Sequence, residues 1–482
     1  VKEALIRFDE PQDPRVEQSS KPLLRVCGAV LQVDEDNGIL QCRIQGTKPG
    51  DLCRVLRLAG EPLLAEVIGG DKGTTATLAA FRSVQGVKAG ALVEALGVPH
   101  RIRASDALLG QTLDGYGLSL AGDGPGACAE PDIADALSVI KQTPLSIVRP
   151  PINKALPTGV RAIDGLLTLG EGQRMGLFAG PGCGKTTLMA EIARNVECDV
   201  IVFGLIGQHR SALCQFVDRE LDDEQRSRTV LVCATAERSS SERARAAFTA
   251  TALAEGYRAQ GRRVLLLIDS LSNFVVAHEE GALASDPSQA EDELRLFMYD
   301  RLSSLIARAG LSSEGAITAI YTVSTEDPRH DPFNNALRSQ LDGHVVLSPK
   351  LAAQGHYPAI DVLASLSHTS TSVTHASHVA ASDGLRHLLT SYERIESMLR
   401  LGEYRPGVDS LTDLALYVRL HVETFLRQDL RVPESLSNTV DYLQRFTAHL
   451  SCEVSRLTRN VSLLRDSDQC RSNIPLDPTL RA

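Results

Sequence analysis

The residues best suited to chemistry lie in the run AGPGCGKTT, from Ala179 to Thr187. Ala179, four residues, then Gly184-Lys185-Thr186 fits the phosphate-binding loop, with alanine where the strictest pattern has its first glycine. Unpaired backbone N–H groups at a helix start attract anions, and Gly180, Gly182 and Gly184 let the chain wrap closely around phosphate oxygens. In this pattern Lys185 reaches the β- and γ-phosphates and the Thr186 hydroxyl ligates Mg²⁺, while Cys183 and Thr187 complete the cradle. The apolar run RMGLFA before the loop, and Leu188 and Ile192 after it at i,i+4, place it between a buried strand and an amphipathic helix. The expectation is a site for a nucleoside triphosphate and Mg²⁺.

The elements that hold such a loop are legible around it. Asp199–Ile206, Thr229–Ala234, Val264–Asp269 and Ala316–Val323 are short, almost unbroken apolar runs, as expected of strands buried on both faces of a parallel sheet. Helical stretches near Ser239–Gln260 and Asp292–Ala309 alternate with them, which predicts an α/β domain over 151–382 with the loop at a strand's carboxyl end. Upstream, apolar runs broken by turn signals such as Pro49-Gly50 and Gly69-Gly70 predict a small β-barrel over 23–93. A proline-bearing flexible segment (1–22) precedes it, and a Gly/Pro-rich connector (94–150) follows. From 383 to 465 the periodicity turns helical. Leu385, Leu388, Tyr392, Ile395 and Leu399 recur at three and four, Gly402 is placed to end that helix, and a second helix is expected over Leu411–Arg427. After Pro433 a seam from Leu436 to Leu464 suits either a coiled-coil arm or one long helix packed on its own domain, and 466–482 read as a disordered tail. The fold class is therefore multi-domain: an N-terminal small β-barrel, a central α/β P-loop domain with a mainly parallel sheet, and a C-terminal α-helical domain.

Length and composition agree. The 482 residues suffice for about three domains. With 23% charged and 43% hydrophobic residues the chain resembles an ordinary soluble protein. The net charge of −10 argues against a broad nucleic-acid surface, and the barrel lacks aromatics interleaved with basic residues, which disfavours an RNA-translocating motor. No apolar run approaches the roughly 18 residues of a membrane span, and the start shows no signal-peptide pattern. Ten scattered cysteines without metal-ligand spacing suit a reducing, cytoplasmic setting.

The stretch LPTGVRAIDGLLTLGEGQRMGLFAGPGCGKTTLMA (156–190) resembles the ATPase family of bacterial type III secretion and flagellar export. GLIG (204–207), RVLLLIDS (263–270), ITAIYTV (317–323), LDGHVVLSPKLAAQGHYPAID (341–361) and LGEYRPG (401–407) follow in family order. These enzymes are relatives of the catalytic subunit of the rotary ATP synthase head. The resemblance implies ATP and Mg²⁺ as ligands and a six-membered ring, homomeric or mixed, with nucleotide at subunit interfaces. It also implies stator and stalk proteins and chaperone–effector complexes as partners, and peripheral association with an inner-membrane export gate. Asp269 matches the acidic residue that holds the Mg²⁺ water shell, and Tyr357 the aromatic residue that packs on adenine.

Two positions depart from the family's catalytic set. Gln208 stands where the family's general-base glutamate stands, within IGQHRS, which resembles the non-catalytic subunit of the ATP synthase head. His368 replaces the arginine finger that reaches the neighbouring subunit's γ-phosphate. A glutamine amide can orient a water but cannot take its proton, and imidazole lacks the guanidinium fork and is mostly neutral at pH 7. A general base is typically worth about 10²–10⁴-fold and an arginine finger about 10³–10⁵-fold. Lys185, Gln208 and His368 are thus the candidate catalytic set. The expected activity is ATP hydrolysis driving chaperone release and unfolding of secreted proteins, the alternative a paralogue that binds ATP with little turnover. Residues 285–293 also depart, retaining only Pro287 where the family has a proline-rich pore loop.

Overall fold

The structure, a computed structural model, describes residues 26–449 apart from 36–37, 59, 71–73, 122–123, 129–135, 142–149, 286–290, 326–330 and 404–409. The expected N-terminal segment (1–22), the centre of the 285–293 loop, the far part of the heptad seam and the tail (466–482) lie outside the described residues.

The described residues up to Val98 form one compact unit. Strands β1 (Val26–Asp34), β2 (Ile39–Arg43), β3 (Asp51–Val55), β4 (Leu63–Gly69), β5 (Thr75–Ala80) and β6 (Leu92–Pro99) close a barrel in the order β1-β2-β5-β4-β3-β6. Strands alternate inward and outward side chains, so Leu40 and Cys42 of β2 are buried while Gln41 between them is exposed. Cys42 and Cys53 sit in this core, where burial pushes both thiols up to about 12, so they stay protonated and behave as small apolar side chains. The sixth strand runs to Pro99, past the boundary read at 93. Its LVEALGVP is only partly buried and does not alternate cleanly, and Gly97 and Pro99 look like connector residues.

The described residues from Pro99 onward form the second unit. Its sheet runs in the order Ile360–Ser367, Gly343–Leu347, Arg174–Ala179, Ala316–Ser324, Arg263–Asp269, Val200–Ile206, Thr229–Ala234, Thr112–Leu113. Pairing is parallel except that Ile360–Ser367 and the short Gly310–Leu311 pair antiparallel to their neighbours. Two separate cores explain the unbroken apolar runs. In Arg263–Asp269, Leu265 and Leu267 enter one core, whereas Val264, Leu266 and Ile268 enter the other. The first core takes Leu188 and Ile192 from helix Lys185–Asn195, and the second takes Ala246, Phe248 and Leu253 from helix Ser240–Ala259. Each such buried Leu, Ile, Val or Phe side chain contributes about 1.5–3 kcal/mol. Thr112–Leu113, from the segment read as connector, adds the last strand beside Thr229–Ala234, so part of 94–150 belongs to this sheet.

Among the described residues a one-turn helix, Ser370–Val373, and three longer ones follow: Ala376–Leu401, Ser410–Leu426 and 436–449. The first of the longer ones starts before the boundary read at 382–383, which falls inside it, and ends at Gly402 in the left-handed conformation (φ +70°), whose N–H bonds back to Leu399. Leu385, Leu414, Val418, Val422, Phe425 and Leu443 join the core that holds the loop's helix. Within the described part of the seam, Tyr442 stacks on Phe425 at 5.3 Å and Leu443 is fully buried.

A buried ionic cluster ties the layers of this unit. The Arg308 side chain is fully buried and donates to Glu255 at 2.6 Å and to the Val139 carbonyl at 2.7 Å, while Lys141 approaches Glu255 at 3.1 Å. Removing one partner leaves an uncompensated buried charge. Glu255→Ala is therefore expected to lower the stability of this unit by about 3–5 kcal/mol, read as a lower denaturant midpoint. A shift under about 1 kcal/mol would place the cluster in solvent-like surroundings.

Candidate active site

Strand Arg174–Ala179 lies between parallel neighbours, and its carboxyl end delivers the loop into helix Lys185–Asn195. Gly182 and Gly184 have φ of +70° and +82°, which only glycine adopts without strain. No side chain caps the helix, so its first N–H groups face the loop's concavity. Cys183 is buried and points its thiol at the Pro181 carbonyl, 3.6 Å away, filling the space beneath the turn. A Cβ at Gly180 would meet Pro349 at 3.6 Å, an ordinary contact, so that glycine is required by neither space nor φ. Thr186 and Thr187, in the first turn, are half-buried.

Asp269, at the end of Arg263–Asp269, is where the chemistry converges. It is 1% exposed, and its Oδ1 lies 3.2 Å from Lys185 Nζ and accepts the Thr322 hydroxyl at 2.6 Å. Its Oδ2 accepts from the Gln208 amide. The strand registers bring this about, since Asp269 pairs with Leu205 and Ile268 with Tyr321. Gln208 leaves its strand through Gly207 at φ +67°, where a Cβ would crowd Asn273 at 2.9 Å. Asn273 holds the turn from the other side by donating to the Ile206 carbonyl at 2.7 Å. Gln208 is thereby fixed beside the carboxylate that Lys185 of the loop also approaches.

Beside the loop lies a cleft of about 550 Å³ walled by Leu188, Tyr357, Pro358, Gln428 and Leu430. The Tyr357 ring stands 3.7 Å from where a Cβ on Gly184 would sit. Gln428 fixes the far wall: it donates to the Gly159 carbonyl at 2.7 Å and to Tyr357 O at 2.9 Å, and accepts from Arg161 N–H at 2.9 Å. A flat apolar slot next to an anion cradle suits a nucleobase attached to phosphates. Gln428, Leu430 and Thr322 were not candidates from sequence, because none sits in a motif.

His368 is not part of this cluster. Ser367 pairs with Gly343, which pairs with Met175, near the start of the strand whose far end carries the loop. Ala179 lies four residue steps beyond Met175, roughly 13 Å along the strand. His368 is exposed there, its N–H bonded to the carbonyl of Asp342, whose carboxylate is gripped bidentately by Arg174 at 2.9 and 2.6 Å.

Residues 159–367 match the ATP synthase alpha/beta family, nucleotide-binding domain, and 374–445 the T3SS EscN ATPase C-terminal domain. The chain is 50% identical over 450 residues to the type 3 secretion system ATPase of Pseudomonas syringae pv. tomato, covering 93% of this chain and 99% of that protein. It is similar to the assembled ATPase EscN of enteropathogenic E. coli, with a TM-score of 0.78, 34% identity, and coverage of 87% of this chain and 100% of that one. The structure of EscN with its central stalk EscO matches at a TM-score of 0.77, with the same identity and coverage.

Proposed function

Because the chain belongs to the ATPases of type III secretion and flagellar export, a family of ATP hydrolases, we propose that its phosphate loop and Asp269 cluster form the hydrolytic site of a protein-export motor. The carrying observation is the convergence of Lys185, Gln208 and Thr322 on buried Asp269 beside an uncapped helix N-terminus. Loop N–H groups and Lys185 hold the phosphates, and Tyr357 packs on the base. The donor set suits Mg²⁺: Thr186 would offer its hydroxyl and Asp269 a carboxylate next to it, and the ion would neutralise β- and γ-phosphate oxygens. Gln208 then orients the attacking water. Phosphoryl transfer relies mainly on positioning and electrostatics, so an amide suffices for turnover while lowering its rate. Binding without turnover is the reading the relatives do not favour, since they are named ATPases at up to 52% identity.

His368, remote from its own loop, acts on a neighbour's nucleotide in a ring of six copies, homomeric or mixed. The finer setting we propose follows the family: a cytoplasmic ring, peripheral at the inner-membrane export gate, meeting a stalk, a stator and chaperone–effector complexes. Among the described residues no helix is long and apolar enough to cross a membrane.

Steady-state ATP hydrolysis by the purified chain, with nucleotide binding measured alongside, tests this. Mg²⁺-dependent turnover above background is expected; tight binding with none would overturn the hydrolase reading in favour of a binding subunit.

A further inference from the structure

The guanidinium missing at position 368 has a counterpart close by. Arg338, on helix Asp331–Gln340, lies over the Phe178 ring at 4.8 Å. Phe178 meets His344 edge to face at 6.0 Å. His344 pairs with Leu366, two residues before His368. Burial first, then the charge of Arg338 and, last, the neighbouring His368, lower the pKa of His344, which places Arg338 and position 368 around the same ring.

The neighbouring arginines are committed. Arg174 grips Asp342, and Arg386 donates to the carbonyls of Val362 and Leu166. Arg338 differs: among the described residues its guanidinium makes no hydrogen bond and no ion pair, and its Nε is buried without a partner. A cation held by ring stacking alone keeps its fork of donors available to an anion.

Its own chain's nucleotide is not that anion. Phe178, with Phe333 and Leu337 of the Arg338 helix, belongs to one core, whereas Leu177 of the same strand as Phe178, and Leu188 of the loop's helix, belong to the other. Arg338 therefore stands across the sheet from its own loop. It opens instead beside a surface where Leu366 is 43% exposed, His368 is exposed and Val346 is half-buried. That surface suits a second copy of a chain that forms a ring.

We propose that Arg338 reaches the γ-phosphate bound by a neighbouring copy and supplies the guanidinium that position 368 lacks. It forms no bond; it stabilises charge on the oxygens of the transferring phosphoryl group. The inference rests on the ring arrangement proposed above.

An intersubunit complementation experiment tests it. Arg338→Ala and Lys185→Ala rings are each expected to lose at least about 10³-fold in kcat. Co-expressed and purified as mixed rings through a tag on the Lys185→Ala chain, they should regain turnover, because some interfaces then pair an intact loop with an intact Arg338. A residue acting within its own chain gives no recovery, and that result overturns the proposal, as does a wild-type rate in Arg338→Ala alone. Fluorescent-nucleotide binding by Arg338→Ala should match the wild type. If that variant fails to bind, Arg338→Lys, which keeps the charge and loses the fork, takes its place in the same mixed rings and the same outcomes decide. A wild-type chain without turnover sinks the hydrolase reading and this inference together, whereas a rate unchanged in Arg338→Ala sinks the inference alone.

Discussion

Gln208→Glu raises kcat for ATP hydrolysis by about 10²-fold, the lower end of what a general base contributes, and adding His368→Arg raises it well beyond either single change. The amide of Gln208 already sits beside Asp269 and is fixed by the Gly207 turn, so the new carboxylate starts in place. It also meets a like charge. Two carboxylates in hydrogen-bond contact cannot both ionise easily, so the variant holds a proton when empty and releases it once the cation and phosphates are bound. Its rate should therefore rise with pH through that raised pKa and depend more steeply on Mg²⁺ than the wild type's. The wild type lacks that carboxylate and should not show that rise. A double variant no faster than the wild type would place the limit on turnover elsewhere.

What the sequence showed and what it hid follow one physical divide. The phosphate loop depends on glycine φ values at Gly182 and Gly184 and on a helix start, all encoded within a few residues. The central strands were legible because burial on both faces leaves no polar period, as Leu265 and Leu266 facing opposite cores make plain. The sixth barrel strand was hidden since its residues are only partly buried and carry no alternation. The partners of the site were hidden for a different reason. Thr322 reads as one polar residue in an apolar strand until strand pairing sets it against Asp269. Gln428 bonds to Gly159 across 269 residues, and Asp342 to Arg174 across 168, separations that no local pattern records. Position 368 could be read only as a difference from the family; that it lies at the opposite end of the sheet from its own loop is a fact of register.

Lys185→Ala removes hydrolysis to background, a loss of at least about 10³-fold, comparable to losing a charge-stabilising arginine. The side chain has two jobs that the structure separates. Without nucleotide its ammonium lies 3.2 Å from Asp269 and pairs with that buried carboxylate. With phosphates in the loop, the same ammonium must turn to them, so binding exchanges one anion partner for another and little charge is left unpaired. Alanine abolishes both contacts, yet Asp269 keeps the Thr322 hydroxyl and the Gln208 amide as donors. The fold should therefore lose only about 1–3 kcal/mol, the scale of a lost charge-assisted hydrogen bond, while catalysis is lost entirely. Lys185→Arg should not restore the rate, because a planar fork cannot replace a compact ammonium where a turn of backbone closes around the phosphates. Thermal unfolding and ATP turnover measured on the same preparations check the separation. A variant that unfolds as readily as it loses activity would make Lys185 a structural residue first, and a Lys185→Ala chain that still turns over ATP would remove the loop from the chemistry.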